Sequence, residues 1–168
     1  MKDDEDQTDT THVSAPDAPH VWATPPSSRT RGNVKRAVDR LLDALAPEHV
    51  ITRAPRIHSP VERHRTPRGC ILQAEGAAVS VTWFPDAATD MALGELRVTA
   101  WRGVVSRPGS ASRAPEGASV ARESTWVPVE SDSAGWAWRG ADGAVLETED
   151  LVAYCAALLE EQVGAAGA

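Results

Sequence analysis

Two amphipathic helical segments bracketing a long stretch of two-residue alternation predict an α+β fold. The expected form is an antiparallel β-meander sheet with an N-terminal and a C-terminal helix packed on one face. Three observations carry the prediction. Apolar residues recur at helical spacing over 33–45 and again over 148–163. Between them, from His49 to Glu147, the period drops to two and turn residues arrive every eight to twelve positions. Glu75-Gly76-Ala77 and Ala141-Asp142-Gly143 are short enough to make neighbouring strands antiparallel.

Residues 1–30 read as a disordered acidic tail, rich in Asp, Thr, Pro and Ser and without periodicity. Val21-Trp22 interrupts it, and a lone Trp in such a tail is a candidate anchor for a partner's pocket. The other reading of Trp22 is that it folds back on its own domain. A single domain is expected over 31–164, with 165–168 frayed.

The first helix is expected from Asn33 to Leu45, because Val34, Ala37, Val38, Leu41, Leu42 and Leu45 form one stripe. Asn33 is the expected N-cap and Pro47 the stop. Strands are expected near 49–54, 69–75, 78–84, 95–105, 122–129, 135–139 and 144–147. Residues 106–121 form a Pro-, Gly-, Ser- and Arg-rich connection. The closing helix is expected to be capped by Thr148, with Glu149 and Asp150 complementing its positive end. Leu151, Val152, Cys155, Leu158, Leu159 and Val163 line one side of it.

With 168 residues, 42% of them hydrophobic, the chain fits one core plus a tail. The net charge of −7 divides unevenly: −5 over 1–28, +6 over 29–68 and −8 over 69–168. A basic segment between acidic ones either meets an anionic partner or is neutralised by its own chain, and self-neutralisation is the simpler expectation. Arginine outnumbers lysine 15 to 2, and no aromatics interleave with the arginines of 29–68, which argues against nucleic acid there. No signal-like leader and no membrane-spanning run is apparent, and two cysteines make no disulfide framework, so a cytoplasmic setting is expected.

Alternation sorts the strands by face. Cys70, Leu72 and Ala74, then Val79, Val81 and Trp83, then Leu96, Val98 and Ala100 are the sets expected under the helices. Val127 and Val129 are expected with them. The left-over set is Gln73, Glu75, Ser80, Thr82, Phe84, Arg97, Thr99, Trp101, Arg122, Ser124 and Trp126. Phe84, Trp101 and Trp126 with Arg97 and Arg122 at their rim have the anchor-and-rim make-up of an interface. The competing reading covers these aromatics with a second layer as ordinary core.

Catalytic chemistry finds little purchase. His58, Glu62 and His64 lack metal-ligand spacing, and Arg56, Arg63, Arg65 and Arg68 would repel a cation, so a solvated basic loop is expected and no metal. Asp86 and Asp90 suit turns. Cys70 and Cys155 fall on core-facing stripes, where a thiol is a small hydrophobe. No phosphate loop, dinucleotide fingerprint or nucleophile elbow is present, and no cofactor is expected.

The reading leans away from an enzyme. The leading expectation is an adaptor or chaperone-like module that binds a protein partner or a second copy through the Trp-bearing sheet face. The alternative is a small-ligand binder or minor enzyme whose pocket, between sheet and helices, is lined by Trp83, Trp136 and Trp138. The third is nucleic-acid binding through 29–68.

Overall fold

In the computed structural model the elements run α1 (Ser28–Ala44), α2 (Pro47–Arg53), β1 (Glu62–Thr66), β2 (Gly69–Ala74), β3 (Ala77–Phe84), β4 (Glu95–Arg102), β5 (Ser119–Ser131), β6 (Gly135–Gly140), β7 (Val145–Leu146) and α3 (Thr148–Ala166). The described residues are 25–85, 93–105, 117–132 and 135–167. The tail up to residue 24 with Trp22, Asp86 and Asp90, and most of the 106–121 connection lie outside them. The strands form one seven-stranded sheet in the order β1-β2-β3-β4-β5-β6-β7, every neighbour antiparallel. The α+β meander is the fold.

α1 starts five residues before the expected Asn33, because Ser27 rather than Asn33 supplies the cap. The Ser27 side chain accepts from the Thr30 N–H at 3.1 Å. Asn33 instead pairs with Arg36 inside the helix. Val34, Ala37, Val38, Leu41 and Leu42 are buried as the stripe required.

The strand expected near 49–54 is the helix α2. Pro47 occupies its first turn, where a fixed φ favours helix and the missing N–H is not needed. Val50 alone of its side chains is buried, so the Val-Ile-Thr run is not an alternating strand. Tertiary ties hold it: Arg53 pairs with Glu149, and the Arg56 N–H donates to Glu160 Oε1 at 2.7 Å.

The basic loop expected at 58–64 yields β1 in its second half. This edge strand has no apolar alternation of its own and is held by its ladder to β2. Arg63 Nη1 donates to the Leu42 carbonyl at 3.1 Å and Arg65 pairs with Asp43, which ties α1 to the sheet. With Lys35–Asp39 and Arg53–Glu149, three of the ten basic residues of 29–68 pair with the chain's own carboxylates.

α3 lies across β2, β3, β4 and β6, and α1 and α2 dock on it. Leu151, Val152, Cys155, Ala156, Leu158 and Leu159 seal it to Cys70, Leu72, Val79, Val81, Leu96 and Val98. Glu147, not Thr148, stands at its N-cap; Thr148 Oγ1 lies 3.5 Å from the Trp138 Nε1–H. The helix continues to Ala166, three residues past the expected Val163. At Gly94, φ is +108° and a Cβ would come within 2.5 Å of the Trp83 ring, so only glycine lets the chain enter β4 there. A Cβ at Gly69 would collide with the Val81 carbonyl. Among the described residues no helix is long and apolar enough to cross a membrane.

Candidate functional site

Residues paired across antiparallel strands share a face, so the register decides which side chains gather where. Among the described residues the three helices lie on one side, the helix face. On the other, the open face, Phe84 pairs with Glu95, Thr82 with Arg97, Ser80 with Thr99 and Ala78 with Trp101. Arg97, Thr99 and Trp101 in turn face Thr125, Glu123 and Val120.

The open face is therefore a built polar–aromatic surface. Arg97 lies over the Phe84 ring with its guanidinium carbon 4.8 Å from the centroid, and Arg68 approaches the same ring at 5.9 Å. Arg97 Nη2 meets Glu95 Oε1 at 3.0 Å, while Glu123 Oε1 stands 4.0 Å from its Nε. Thr99 Oγ1 donates to Glu123 Oε2 at 3.3 Å and is nearly buried. Trp101 Nε1 donates to Ser80 Oγ at 2.9 Å, which fixes the indole against β3. Beyond Trp101 the chain turns back: the Gly103 N–H reaches the Gly76 carbonyl at 2.6 Å and the Val105 N–H reaches Gln73 Oε1 at 3.0 Å. Phe84 and Trp101 are left half-buried, and Val120 and Val145 are 55% and 53% exposed.

Not every candidate is here. Phe84, Arg97 and Trp101 gather on the open face. Arg122 and Trp126 do not join them, because Ala100 pairs with Arg122 and Leu96 with Trp126, which turns both toward the helices. Trp126 is 5% exposed and packs edge-on against Tyr154 of α3 at 5.3 Å between centroids. Its Nε1–H donates to Ser124 Oγ at 3.1 Å, and the Tyr154 hydroxyl reaches the same oxygen at 3.1 Å. Arg122 pairs with Glu161 of α3 at 3.5 Å. Val127 and Val129, expected under the helices, take the open face opposite Arg139 and Ala137. Two valines outweigh an Arg-Ser-Trp set in a local count. The partners that turn the latter set toward the helices, Tyr154 against Trp126 and Ser124 and Glu161 against the exposed Arg122, sit roughly thirty to forty residues away on α3. Trp22 lies outside the described residues.

The residues offered for a pocket are packing. Trp83 and Trp138 meet edge-to-face at 6.4 Å, Trp138 is fully buried and Trp136 nearly so. Both thiols are buried and free. Burial pushes the Cys70 thiol up from 9.0 to about 11, with Arg63 and Arg65 opposing, and burial pushes Cys155 up further. A thiol held protonated is a poor nucleophile. His64 and Glu62 share the open face at 3.4 Å, and among the described residues no three His, Cys, Asp or Glu side chains cluster as metal ligands would. Glu123 escapes a reading by alternation, since only the ladder to β5 brings it near Arg97, whereas Glu95 stands two residues before Arg97 on β4 and shares its face by alternation alone.

No family model, curated protein or solved structure matches this chain.

Proposed function

We propose that this protein is a small, non-enzymatic, cytoplasmic interaction module that binds a partner protein or a second copy through the open face of its meander. The carrying observation is the asymmetry of the sheet. Three helices crowd one side, while Phe84, Arg97 and Trp101 sit together, half-buried, on a side that no described helix covers. Aromatic anchors with an arginine at their edge are the residue types that dominate binding energy at protein interfaces. Arg97 is held by Glu95 and the Phe84 ring, so little side-chain freedom remains to be lost on binding. Arg122 and Trp126 leave the contact set: Trp126 serves the core, and Arg122 forms an exposed ion pair with Glu161 on the helix side. Trp22 stands as a second, separate anchor.

Trp101→Ala tests this reading. Removing a hot-spot aromatic weakens association by about 2 kcal/mol or more, some thirtyfold in Kd. Far-ultraviolet circular dichroism must stay unchanged. A folded Trp101→Ala chain that binds its partner with undiminished affinity would remove the assignment.

A further inference from the structure

β5 is paired along its two halves by different strands, on opposite flanks. Its first half, Ser119 to Trp126, is laddered to β4. Its second half, Trp126 to Ser131, is laddered to β6. Gly140 ends β6 at the level of Trp126, and the chain turns away there through Ala141-Asp142-Gly143, closed by the Gly143 N–H on the Gly140 carbonyl at 3.0 Å. Among the described residues, no strand flanks Ser119–Thr125 on the side away from β4. That edge runs roughly 23 Å, at the usual rise per residue of a strand. Val120, Ala121, Arg122 and Glu123 along it are all exposed.

The sheet's outermost edges look different. β1 carries Arg63, His64 and Arg65, and β7 is two residues long, both ordinary defences against added strands. The β5 edge carries one irregularity, where the register shifts between Ala100 and Trp101, and it keeps Val120 exposed at 55%.

We infer that the Ser119–Thr125 edge is a strand-addition site for an extended segment of another protein, one that places a cationic residue opposite Glu123 and an apolar residue opposite Val120. Main-chain hydrogen bonds supply the attachment and alternate side chains the selectivity. Arg122 already has Glu161 on the helix face at 3.5 Å, whereas Glu123 meets Arg97 only at 4.0 Å and its side chain is 49% exposed. The uncompensated charge that an incoming strand meets is therefore negative.

A second copy does not fit. Opposed residues of an antiparallel pair must share a face, so two-fold self-pairing sets one residue against itself. Centred on this edge, that residue is Arg122 or Glu123, and like charges directly opposite repel. This site adjoins the Phe84–Trp101 surface, since Glu123 and Val120 lie opposite Thr99 and Trp101, but it engages its partner by main-chain pairing along the edge and not through the Phe84 ring at the far end of that face.

The test uses the full chain and three capped peptides, Thr-Val-Thr-Xaa-Thr-Val-Thr with Lys, Glu or Thr at the centre. Affinity is read by fluorescence anisotropy and the contact by amide hydrogen exchange. The Lys peptide should slow exchange at Ser119–Thr125 and bind about fivefold tighter than the Glu peptide, the scale of one cross-strand charge pair. Glu123→Gln should erase that preference while leaving the Thr peptide's affinity unchanged. Phe84→Ala should leave all three peptides unaffected, whereas it weakens a partner held by the open face. Equal affinities for the Lys and Glu peptides, protection away from β5, or protection of these amides already in the free chain would each overturn the assignment.

Discussion

Trp126 illustrates how one residue's role follows from its neighbours rather than from its type. An aromatic on a polar-looking strand set reads as an exposed anchor, yet it lies under α3 against Tyr154 with its N–H satisfied by Ser124. Trp126→Ala should therefore destabilise the fold by about 3–5 kcal/mol, as large aromatic truncations in cores do, measured by urea unfolding. A loss below 1 kcal/mol would place it at the surface after all. The buried thiols make a second residue-scale prediction. Folding holds Cys70 and Cys155 protonated, while the unfolded chain releases them to an ordinary value near 9.0. Above that pH the unfolded state binds fewer protons than the folded one, so stability falls as pH rises toward the folded Cys70 value of about 11. Each thiol adds a slope of about 1.4 kcal/mol per pH unit in that window. Cys155→Ala should flatten the alkaline limb by about that slope and leave the slope near neutral pH as it was. An unchanged alkaline limb would mean that the thiol is not buried.

At the scale of elements, the α1 terminus moves the cap from Asn33, the residue expected from the sequence, to Ser27. Ser27 accepts the Thr30 N–H, and Asn33 lies inside the helix. Ser27→Ala should cost about 1 kcal/mol and Asn33→Ala distinctly less, by the same unfolding measurement; the reverse order would return the helix start to Asn33. The elements legible in the sequence were those whose signal is local. The Val34–Leu45 stripe, the closing helix and the Glu75-Gly76 hairpin each carry their own period or turn. α2 was hidden because Val50, Ile51 and Thr52 have strand propensity, while its helix rests on Pro47 and on Glu149 and Glu160 about a hundred residues away. β1 was hidden because an edge strand of Glu, Arg, His, Arg and Thr has no apolar face to read; pairing to β2 and the α1 contacts of Arg63 and Arg65 hold it. The face of β5 is likewise set by distant partners: Tyr154 covers Trp126 and bonds Ser124, and Glu161 pairs with the exposed Arg122 on the helix side. Of the site, Phe84, Arg97 and Trp101 are legible because β3 and β4 alternate cleanly, and Glu95 falls on the same face by that alternation; Glu123 is not, because it is brought there by the β4–β5 ladder.

Taken whole, the molecule spends its helices on one side of the sheet. The core there is continuous from Leu41 and Leu45 through Leu72, Val79 and Leu96 to Leu159 and Trp138. Opposite it stands a surface of Arg97 stacked on Phe84, Trp101 pinned to Ser80, and Glu95 and Glu123 alongside. Antiparallel sheets commonly leave one face to water, and a plain solvated face needs no aromatic anchors. The central claim is that this face binds protein, and a pull-down from nuclease-treated native lysate addresses it most directly. The full chain is compared with its Phe84→Ala/Trp101→Ala double variant, both shown to be folded by circular dichroism, with quantitative mass spectrometry of the eluates and sedimentation of each chain. The account predicts a dominant protein, or a second copy, held by the native chain and depleted at least about thirtyfold with the variant, the equivalent of one interface hot spot. Identical eluates and identical sedimentation for the two folded chains would contradict it.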